Sequence, residues 1–512
     1  MTKKLVFVRR ISQIFFLLIF ISILWTTTYP LKGPLPAETF FKFDPLIMFF
    51  TSVSERIIPS GLVFSIAMVL LTLILGRFFC GWVCPLGTMI DMAGAIRKKR
   101  SVDTRLHRKI YRLKFMILLG VALFAFLGMQ VVAWVFDPTV IMSRFVSLNF
   151  IPAITFIVDR FFILMIKTFN LRGALLDIYH YLTSSFLGFK VYYFSHSLII
   201  FLVPVLICGM AWWVKRYWCR VFCPLGALYA GCARFAWLER TVTKDCTDCK
   251  RRRSYCRMGA INEDLSYIKG ECILCMDCIY GCEPQTTQFK FILPASVRKT
   301  SYAVKEEGAG INRRQFLFLM VISFFSLGTS WGQGKKGQRQ ETRVIRPPAA
   351  LKEEKFLNRC IRCGNCMKVC LTNGLQPVFL QAGLEGIWTP QLIPEVGYCE
   401  YLCTLCGSVC PTAAIPRLTI EQKKKTRLGL AQIERNICLP WSESKDCIVC
   451  VEHCPVFENA IKVEEEVRGD LVLLKPYVVD EELCIGCGIC QTKCPVRPIR
   501  AIRVFPRNAD RT

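Results

Sequence analysis

Sixteen cysteines in four groups of four occupy the C-terminal third of the chain, and this arrangement limits its fold more than any other feature. The groups are Cys360, Cys363, Cys366 and Cys370; Cys399, Cys403, Cys406 and Cys410; Cys438, Cys447, Cys450 and Cys454; and Cys484, Cys487, Cys490 and Cys494. In a C-x2-C-x2-C-x3-C run, three thiolates hold one [4Fe-4S] cubane and the fourth reaches the neighbouring cubane. These groups predict four clusters held by small α+β ferredoxin-like folds with little apolar core.

The spacing predicts two double-cluster units, residues 351–430 and 431–512. The fourth ligands are expected to be exchanged within each unit, Cys370 with Cys410 and Cys454 with Cys494. The spacing is irregular in two groups, since three residues separate Cys399 from Cys403 and eight separate Cys438 from Cys447. Paired CxxC motifs also bind zinc, but C-x2-C-x2-C suits one face of a cubane.

A further cysteine group lies in residues 241–300. Cys272, Cys275, Cys278 and Cys282 form another ferredoxin run, whereas the companion group, Cys246, Cys249 and Cys256, has Arg252 where a third ligand is expected. The exchange rule makes Cys256 the fourth ligand of the cluster held by Cys272, Cys275 and Cys278. The second site then has only three ligands: Cys246, Cys249 and Cys282. Either Cys232 supplies the fourth, or the cluster is three-iron, labile or absent. We therefore expect one or two clusters here.

Residues 1–240 predict an α-helical membrane domain. The segments long and apolar enough to span a bilayer are Val6–Thr26, Gly61–Phe79, Phe115–Phe136 and Ser197–Val214. Lys and Arg residues flank them before the first segment, between the second and third, and after the fourth, which predicts that both ends of this half are cytoplasmic. A fifth apolar run, Phe150–Ile166, contains Asp159 and Arg160 at its middle, and we expect it to be interfacial or re-entrant.

An internal repeat indicates that the membrane half is a duplicated helical hairpin. RFFCGWVCPLGTM at Arg77–Met89 recurs as RYWCRVFCPLGAL at Arg216–Leu228. The two CxxxCP motifs contribute Cys80, Cys84, Cys219 and Cys223, which could hold a metal or cluster, cycle between thiol and disulfide, or be inert residues of a helix-end turn. The isolated Cys208 and Cys232 are expected to be buried filler unless Cys232 is a ligand.

Residues 311–331 have the pattern of a twin-arginine export signal in mid-chain. Arg313 and Arg314 precede an apolar run from Phe316 to Leu327. As a fifth, central membrane anchor followed by the linker 332–350, this segment would leave residues 241–310 cytoplasmic and residues 332–512 periplasmic. If it is only a buried helix after a chance Arg-Arg pair, every cluster is cytoplasmic.

Composition excludes several other classes of protein. Of the formal charge of +28, residues 347–512 contribute little, with 21 Lys and Arg against 19 Asp and Glu, so the excess lies beside the apolar segments and does not indicate nucleic-acid binding. Neither CxxCH, GxGxxG nor a P-loop occurs, so no c-type haem, NAD or FAD site is predicted. The only histidines are His107, His180, His196 and His453, without helical spacing that would suggest a membrane haem.

These motifs resemble those of a known protein family. The first 300 residues resemble NapH-type membrane ferredoxins, which have paired CxxxCP motifs and a CMDCxxxCEP-like run, here Cys275–Pro284. Residues 311–505 resemble the NapG-type periplasmic ferredoxin, which carries four clusters behind a twin-arginine signal. The chain is thus similar to a fusion of the two. The resemblance implies a quinol dehydrogenase that feeds electrons to a periplasmic reductase, nitrate reductase being the best-known acceptor.

The sequence therefore predicts an electron-transfer protein of the bacterial inner membrane. Quinol would be oxidised in the helical half, and electrons would leave through the periplasmic clusters to a reductase or its electron-accepting subunit. Asp159 is the one acid or base candidate for quinol deprotonation, although the sequence favours a structural salt bridge over that role. The alternative is a maturation factor that delivers electrons or clusters to a partner enzyme; a sensor would need an output domain that we do not recognise.

Overall fold

The computed structural model describes residues 2–29, 31, 33, 35–55, 62–96, 111–126, 129–169, 173–183, 193–242, 255–262, 267–280, 287–292, 344–456, 460–468, 471–478, 482–507 and 509–511. The expected export signal at residues 311–331 and the ligand candidates Cys246, Cys249 and Cys282 lie outside the described residues.

Helices dominate the N-terminal half. They are α1 (Thr2–Trp25), α2 (Thr39–Lys42), α3 (Pro45–Glu55), α4 (Leu62–Leu75), α5 (Phe78–Trp82), α6 (Pro85–Ile96), α7 (Leu113–Phe126), α8 (Val131–Phe136), α9 (Pro138–Phe145), a π-helical turn (Val146–Phe150), α10 (Ile151–Phe169), α11 (Ala174–Leu182), α12 (Ser197–Trp213), α13 (Tyr217–Val221) and α14 (Pro224–Ala233). Beyond them, β1 (Leu238–Val242) pairs antiparallel with β2 (Thr287–Phe291), in the register Leu238 to Phe291, and the 3-10 turn Lys269–Glu271 and α15 (Asp277–Tyr280) lie between the two strands in the sequence.

The C-terminal half consists of short elements. Its helices are α16 (Glu353–Arg359), α17 (Asn365–Lys368), the 3-10 turn Leu384–Gly386, α18 (Leu405–Ser408), α19 (Ile420–Lys425), α20 (Leu439–Ser442), α21 (Val449–Glu452) and α22 (Ile489–Lys493). Its strands form three antiparallel pairs: β3 (Leu375–Pro377) with β4 (Pro390–Leu392), β5 (Leu430–Ile433) with β8 (Ile502–Phe505), and β6 (Ile461–Arg468) with β7 (Leu471–Val478). The buried apolar clusters in this half are small, for example Ile485, Cys487 and Ile489.

Both CxxxCP repeats have the same local structure. In each, a long apolar helix (α4 or α12) is followed by a short helix that carries the first cysteine (α5 or α13). The proline after the second cysteine then begins a new helix, α6 or α14, because proline fits the first helical turn, where its missing N–H is not needed. The pattern therefore does not run on as one helix, so the four-residue spacing does not put both cysteines on one helical face.

Two helical stretches are long and apolar enough to cross a membrane, Lys4–Trp25 and Pro138–Thr168. The first matches the expected span Val6–Thr26. The second contains the run that we expected to be interfacial. The other three predicted spans correspond to shorter helices: α4 ends at Leu75, the segment 115–136 is divided between α7 and α8, and α12 covers 17 residues with Pro204 inside. Four or five membrane helices therefore stay a prediction.

The described residues divide into two compact units. The first contains those of Met1–Ile23, Thr39–Phe145 and Leu198–Lys336, and so includes both CxxxCP repeats and the cysteines near β1 and β2. Glu271 is 1% exposed and connects three parts of this unit: it forms a salt bridge of 3.2 Å with Arg77 and a second with Lys114, both of which are fully buried. A buried carboxylate needs such partners, because its desolvation is otherwise costly.

The second unit contains the described residues of Leu24–Glu38, Val146–Ser197 and Gly337–Thr512. Lys368, which is 1% exposed, binds the end of α1: its ammonium donates to the carbonyls of Leu24, Trp25 at 3.4 Å and Thr27 at 3.3 Å. The last carbonyls of a helix have no partner inside it and carry partial negative charge, so a lysine suits this position. In the segment 146–197, Ser147 donates to the Asn365 side chain at 3.1 Å.

Replacing the buried lysine tests this connection. We expect Lys368→Ala to leave several carbonyls at the end of α1 without their charged donor and to destabilise the second unit by about 2 kcal/mol, or roughly 5 °C in Tm. Thermal loss of the iron-sulfur absorbance of the purified protein measures the shift. The control is Lys424→Ala, which removes a lysine that pairs with the exposed Glu421 and lies 6.0 Å from the Tyr401 ring centre. Equal shifts for both variants would contradict the assignment.

Candidate iron-sulfur sites

The structure brings the cysteines of the first C-terminal unit together in exchanged sets. One cavity is lined by Cys360, Cys363, Cys366 and Cys410. A second cavity is lined by Cys370, Cys399, Cys403 and Cys406. Each therefore takes three cysteines from one group and the last cysteine of the other, which is the arrangement that the spacing predicts.

The second C-terminal unit repeats this arrangement. A cavity is lined by Cys438, Cys447, Cys450 and Cys494. Cys454 lies close enough to Cys484 and Cys487 for its charge to raise the pKa of both thiols. Cys484 and Cys487 in turn raise the pKa of Cys490, so the four cysteines lie together. The eight residues between Cys438 and Cys447 contain α20, which Cys438 precedes, so the longer spacing is accommodated by one helical turn.

Glycines shape two of these loops. Gly364 follows Cys363 with φ +88°, and Gly488 follows Cys487 with φ +84°; each precedes a one-turn helix that carries the next cysteine, Cys366 or Cys490. This left-handed conformation costs glycine little because it has no Cβ. A Cβ at Gly364 would also lie 3.0 Å from Leu148 Cγ, so the loop is closely packed from outside.

A fifth cysteine set lies in the first unit. Cys256, Cys272, Cys275 and Cys278 line one cavity with Tyr267 and Arg240. Cys256 occupies the position expected of the exchanged ligand, and the Ala260 N–H donates to its sulfur at 3.3 Å. The same rule assigns Cys282 to the other cluster of this pair, but that site, with Cys246 and Cys249, lies outside the described residues.

These sets fit iron-sulfur clusters better than single ions. Among the residues that the structure describes, no three His, Cys, Asp or Glu side chains are close enough to share one metal ion. A zinc ion would hold four sulfurs about 2.3 Å from one point, whereas a cubane is a larger body with its ligands around it. Sulfurs that surround a cavity therefore favour a cluster over zinc.

The protein environment opposes ionisation of the free thiols. Burial raises the pKa of Cys487 to about 12 and the pKa of Cys278 and Cys399 to about 11. Since clusters bind thiolates, cluster insertion has to release these protons, and the iron provides the positive charge that stabilises the thiolates.

The cysteines of the two CxxxCP motifs are all buried and lie close to one another across the repeats. They are Cys80, Cys84, Cys219 and Cys223. The Gly87 N–H donates to Cys84 Sγ at 3.4 Å, and the Gly226 N–H donates to Cys223 Sγ at 3.2 Å. The two repeats therefore present their second sulfur to the same kind of backbone donor.

The repeat arginines cross between the two motifs. Arg216 donates to the carbonyl of Cys80 at 2.7 Å and to that of Gly87 at 3.4 Å. Arg77 of the first repeat approaches the second repeat in turn. A Cβ added at Gly226 would lie 2.9 Å from a guanidinium nitrogen of Arg77. Sequence reasoning missed this role, although an arginine precedes the first cysteine by three residues in both repeats.

The one acid or base candidate from the sequence is in a structural hydrogen bond. Asp159 accepts from the Tyr179 hydroxyl at 2.6 Å, and Arg160 stacks on Phe156 with its guanidinium carbon 5.2 Å from the ring centre. Two carboxylates that the sequence did not single out are fully enclosed instead. Asp44 and Asp137 each lie 2.6 Å from the single hydroxyl of Thr139.

The Thr139 hydroxyl has one proton, so it can donate fully to only one carboxyl of the Asp44 and Asp137 pair. Burial raises the pKa of both groups. Neither aspartate belongs to a recognisable motif, so only the three-dimensional structure identifies the pair.

Comparisons with known proteins agree on the chemistry. Two family models, each described as a 4Fe-4S binding domain, match residues 57–103 and 196–244 in one case and 477–500 in the other. The methylamine utilization ferredoxin-type protein MauM of Paracoccus denitrificans is 35% identical over 172 residues, which cover 33% of this chain and 74% of MauM. The chain belongs to the family of ferredoxin-type proteins that includes MauM and NapG.

Other relatives of the chain support this placement. The ferredoxin-type protein NapG of Escherichia coli is 32% identical over 202 residues, covering 38% of this chain and 85% of NapG. An uncharacterised protein of Methanocaldococcus jannaschii is 24% identical over 230 residues, covering 44% of this chain and 77% of that protein. No solved structure matches the chain. The resemblance to NapG is thus confirmed, and the family and both models support iron-sulfur electron transfer.

Paired cysteine substitutions test the exchanged ligands. We expect Cys360→Ser with Cys410→Ser to remove one cluster, about four iron atoms, because both cysteines line the same cavity. The matched control, Cys360→Ser with Cys370→Ser, removes the same number of thiols but affects two cavities, so it should cost about eight iron atoms. Iron analysis and Mössbauer spectra measure the loss. Two clusters lost in the first variant and one in the second would show that the ligands are not exchanged.

Proposed function

We propose that this protein is a membrane-bound quinol dehydrogenase that passes electrons through [4Fe-4S] clusters to a periplasmic reductase or its electron-accepting subunit. The observation that carries the proposal is the composition of the second unit. The four C-terminal cysteine sets pack with residues 24–38 and 146–197. In the topology expected from the loop charges, both segments follow a span that leads out of the cytoplasm.

The first unit supports the other half of this topology. The Trp82 indole donates to the Leu274 carbonyl at 3.0 Å, and Arg257 forms a salt bridge of 3.0 Å with Asp91. These contacts join the cysteines near residues 256–278 to the segment after the second predicted span, where the basic residues predict the cytoplasmic side. Residues 241–310 would therefore lie inside, and residues 332–512 outside, in the bacterial inner membrane.

Each cysteine set has one role in this proposal. Cys256 with Cys272, Cys275 and Cys278 would hold a cytoplasmic cluster, and the four sets between Cys360 and Cys494 would hold four periplasmic clusters. Cys246, Cys249 and Cys282 would hold a second cytoplasmic cluster with an unassigned fourth ligand. When bound, such clusters accept and donate single electrons at potentials set by burial and by hydrogen bonds to sulfur. The buried CxxxCP cysteines are proposed as additional redox or metal-binding thiols, supported by the family model that covers both repeats.

The competing hypothesis is a maturation factor that delivers electrons or clusters to a partner enzyme. The relatives named MauM are ferredoxin-type proteins of methylamine utilization. That name is compatible with either role, electron transfer or maturation. Cluster stability separates the hypotheses, because an electron carrier keeps five or six clusters whereas a delivery protein gives them up to an acceptor.

Reduction by quinol tests the proposed reaction. We expect the protein, purified anaerobically in detergent, to show rapid loss of iron-sulfur absorbance and new low-temperature EPR signals when menaquinol or ubiquinol analogues are added. Dithionite reduction provides the full amplitude as a control. Clusters that dithionite reduces but quinols do not would exclude quinol as the donor and favour the maturation role.

Reporter fusions test the topology. We expect alkaline phosphatase fused after residue 512 to be active, because this enzyme folds only in the periplasm, and green fluorescent protein fused after residue 292 to fluoresce, because it folds inside. The reciprocal fusions are the controls and should be inactive. A fluorescent fusion at residue 512 would place the four C-terminal cysteine sets in the cytoplasm.

A further inference from the structure

The four C-terminal cysteine sets have an order in space that their mutual contacts define. In sequence order they are set A (Cys360, Cys363, Cys366 and Cys410), set B (Cys370, Cys399, Cys403 and Cys406), set C (Cys438, Cys447, Cys450 and Cys494) and set D (Cys454, Cys484, Cys487 and Cys490). All four belong to the second compact unit. Their contacts follow a different order from the sequence.

One-turn helices join the two sets of each C-terminal unit. In the first C-terminal unit, α17 carries Cys366 of set A and ends two residues before Cys370 of set B. In the second, α21 carries Cys450 of set C and ends two residues before Cys454 of set D. Four helical residues rise only about 6 Å, so the two sets that exchange a ligand are direct neighbours. Set A therefore adjoins set B, and set C adjoins set D.

The two C-terminal units meet at sets B and D. The N–H of Cys399, in set B, donates to the carbonyl of Cys487, in set D, at 2.8 Å. The N–H of Leu428, which lines the set B cavity, donates to the carbonyl of Ile485 at 2.8 Å. Ile485 lies between two cysteines of set D in the chain. Cysteines of two different sets thus share a backbone hydrogen bond, and the sets follow one another in the order A, B, D, C.

Set A is the end of this row that contacts the long apolar helices. Ser147 donates to the side chain of Asn365, in the set A loop, at 3.1 Å. Ser147 belongs to the stretch Pro138–Thr168, which is long and apolar enough to cross a membrane. Lys368, in the same one-turn helix as Asn365, binds the last carbonyls of α1, the other such stretch. The loop of set A therefore touches segments from both candidate spans.

Set C is the other end of the row and lies beside exposed chain. Residues 442–446, between Cys438 and Cys447, are all exposed. Pro495, which lines the set C cavity, is exposed as well. The longer spacing between the first two cysteines of this set thus adds a loop that a partner protein can reach.

We propose that the four sets form one electron-transfer row in the order A, B, D, C, with electrons entering at set A and leaving at set C for the acceptor protein, which docks on residues 442–446. The direction rests on the proposed function, whereas the order rests on the contacts alone. Oxidation of one quinol supplies two electrons and releases two protons. The electrons pass along the row singly, each transfer oxidising one cluster and reducing the next, and the reductase takes them up.

A row in sequence order is the competing arrangement. It would require set B to adjoin set C, whereas Cys399 bonds to Cys487 of set D. The two orders differ in which set is isolated when another is removed. Loss of set D isolates set C in the order A, B, D, C, and loss of set C isolates set D in the sequence order.

Two double variants test the order. Cys484→Ser with Cys487→Ser removes set D, and the matched Cys447→Ser with Cys450→Ser removes set C; each should lose about four iron atoms. Neighbouring clusters that are both reduced broaden each other's EPR signals. After dithionite reduction we expect the set D variant alone to show a narrow signal that the wild type lacks, about one spin per protein, because set C then has no neighbour.

The other EPR outcomes contradict the row. A narrow signal in the set C variant, alone or together with one in the set D variant, would overturn it, because set D would then have set C as its only neighbour. Absence of the new signal from both variants would overturn it as well, because set C would then have a second neighbour.

Spin labels provide a second test that keeps every cysteine ligand. Leu402→Cys marks the set B loop and is combined with His453→Cys, beside set D, or with Ser444→Cys, in the exposed loop of set C; all three native residues are exposed. Pulsed EPR should give a shorter distance between nitroxides for the pair 402 and 453 than for the pair 402 and 444. The reverse would overturn the order. Wild-type protein treated with the same reagent is the control for the other cysteines.

Quinol tests the direction. In the set C variant, we expect a quinol analogue to reduce the clusters of sets A, B and D as fast as in the wild type. In the set D variant, the cluster of set C should be reduced at least ten-fold more slowly, although dithionite still reduces it. An unchanged rate there would overturn entry at set A. Wild-type clusters that ignore quinol would overturn the proposed function and the direction, while the dithionite spectra and the label distances would still decide the order.

Discussion

Exchange of the fourth cysteine is the constraint on which the C-terminal half depends. Cys410 lines the cavity of Cys360, Cys363 and Cys366, and Cys370 lines the cavity of the following group. Each cavity is thus completed by a cysteine of the other group. Strands of three to eight residues and helices of one or two turns surround these cavities with very small apolar clusters. Such elements cannot bury enough surface to be stable alone, so metal binding supplies much of the folding energy.

Charge has two separate roles in this chain. We assigned the Lys and Arg residues beside the apolar segments to membrane orientation, and the structure buries several of them. Arg9, Arg77, Lys114 and Arg216 are at most 1% exposed, and Asp91 and Glu271 are among their carboxylate partners. Buried ion pairs of this kind make a modest net contribution to stability but fix which groups face each other. They hold the segment after β1 against the CxxxCP repeats.

The cysteine sets could be predicted from sequence because their spacing is local and the exchange rule is general. The structure brings Cys256 to one cavity with Cys272, Cys275 and Cys278. The exchange rule groups the same four in spite of Arg252, since it needs only the last cysteine of the defective group. The membership of residues 24–38 and 146–197 in the second unit could not be predicted, because those segments have no motif and their partners are more than 100 residues away. The sequence did not single out Asp91, Asp44 or Asp137 for the same reason. The role of a single aspartate depends on partners that are distant in the sequence.

Inside the second unit, the contact of Lys368 with residues 24–27 depends on a short helix beside a cysteine set. Lys368 ends the one-turn helix Asn365–Lys368, which contains Cys366 and precedes Cys370. A single turn is too short to persist without external support. Ligation of the flanking cysteines is what holds that turn in place. Loss of the cluster at this site would therefore also weaken the contact of Lys368 with the carbonyls of Leu24, Trp25 and Thr27 inside the second unit.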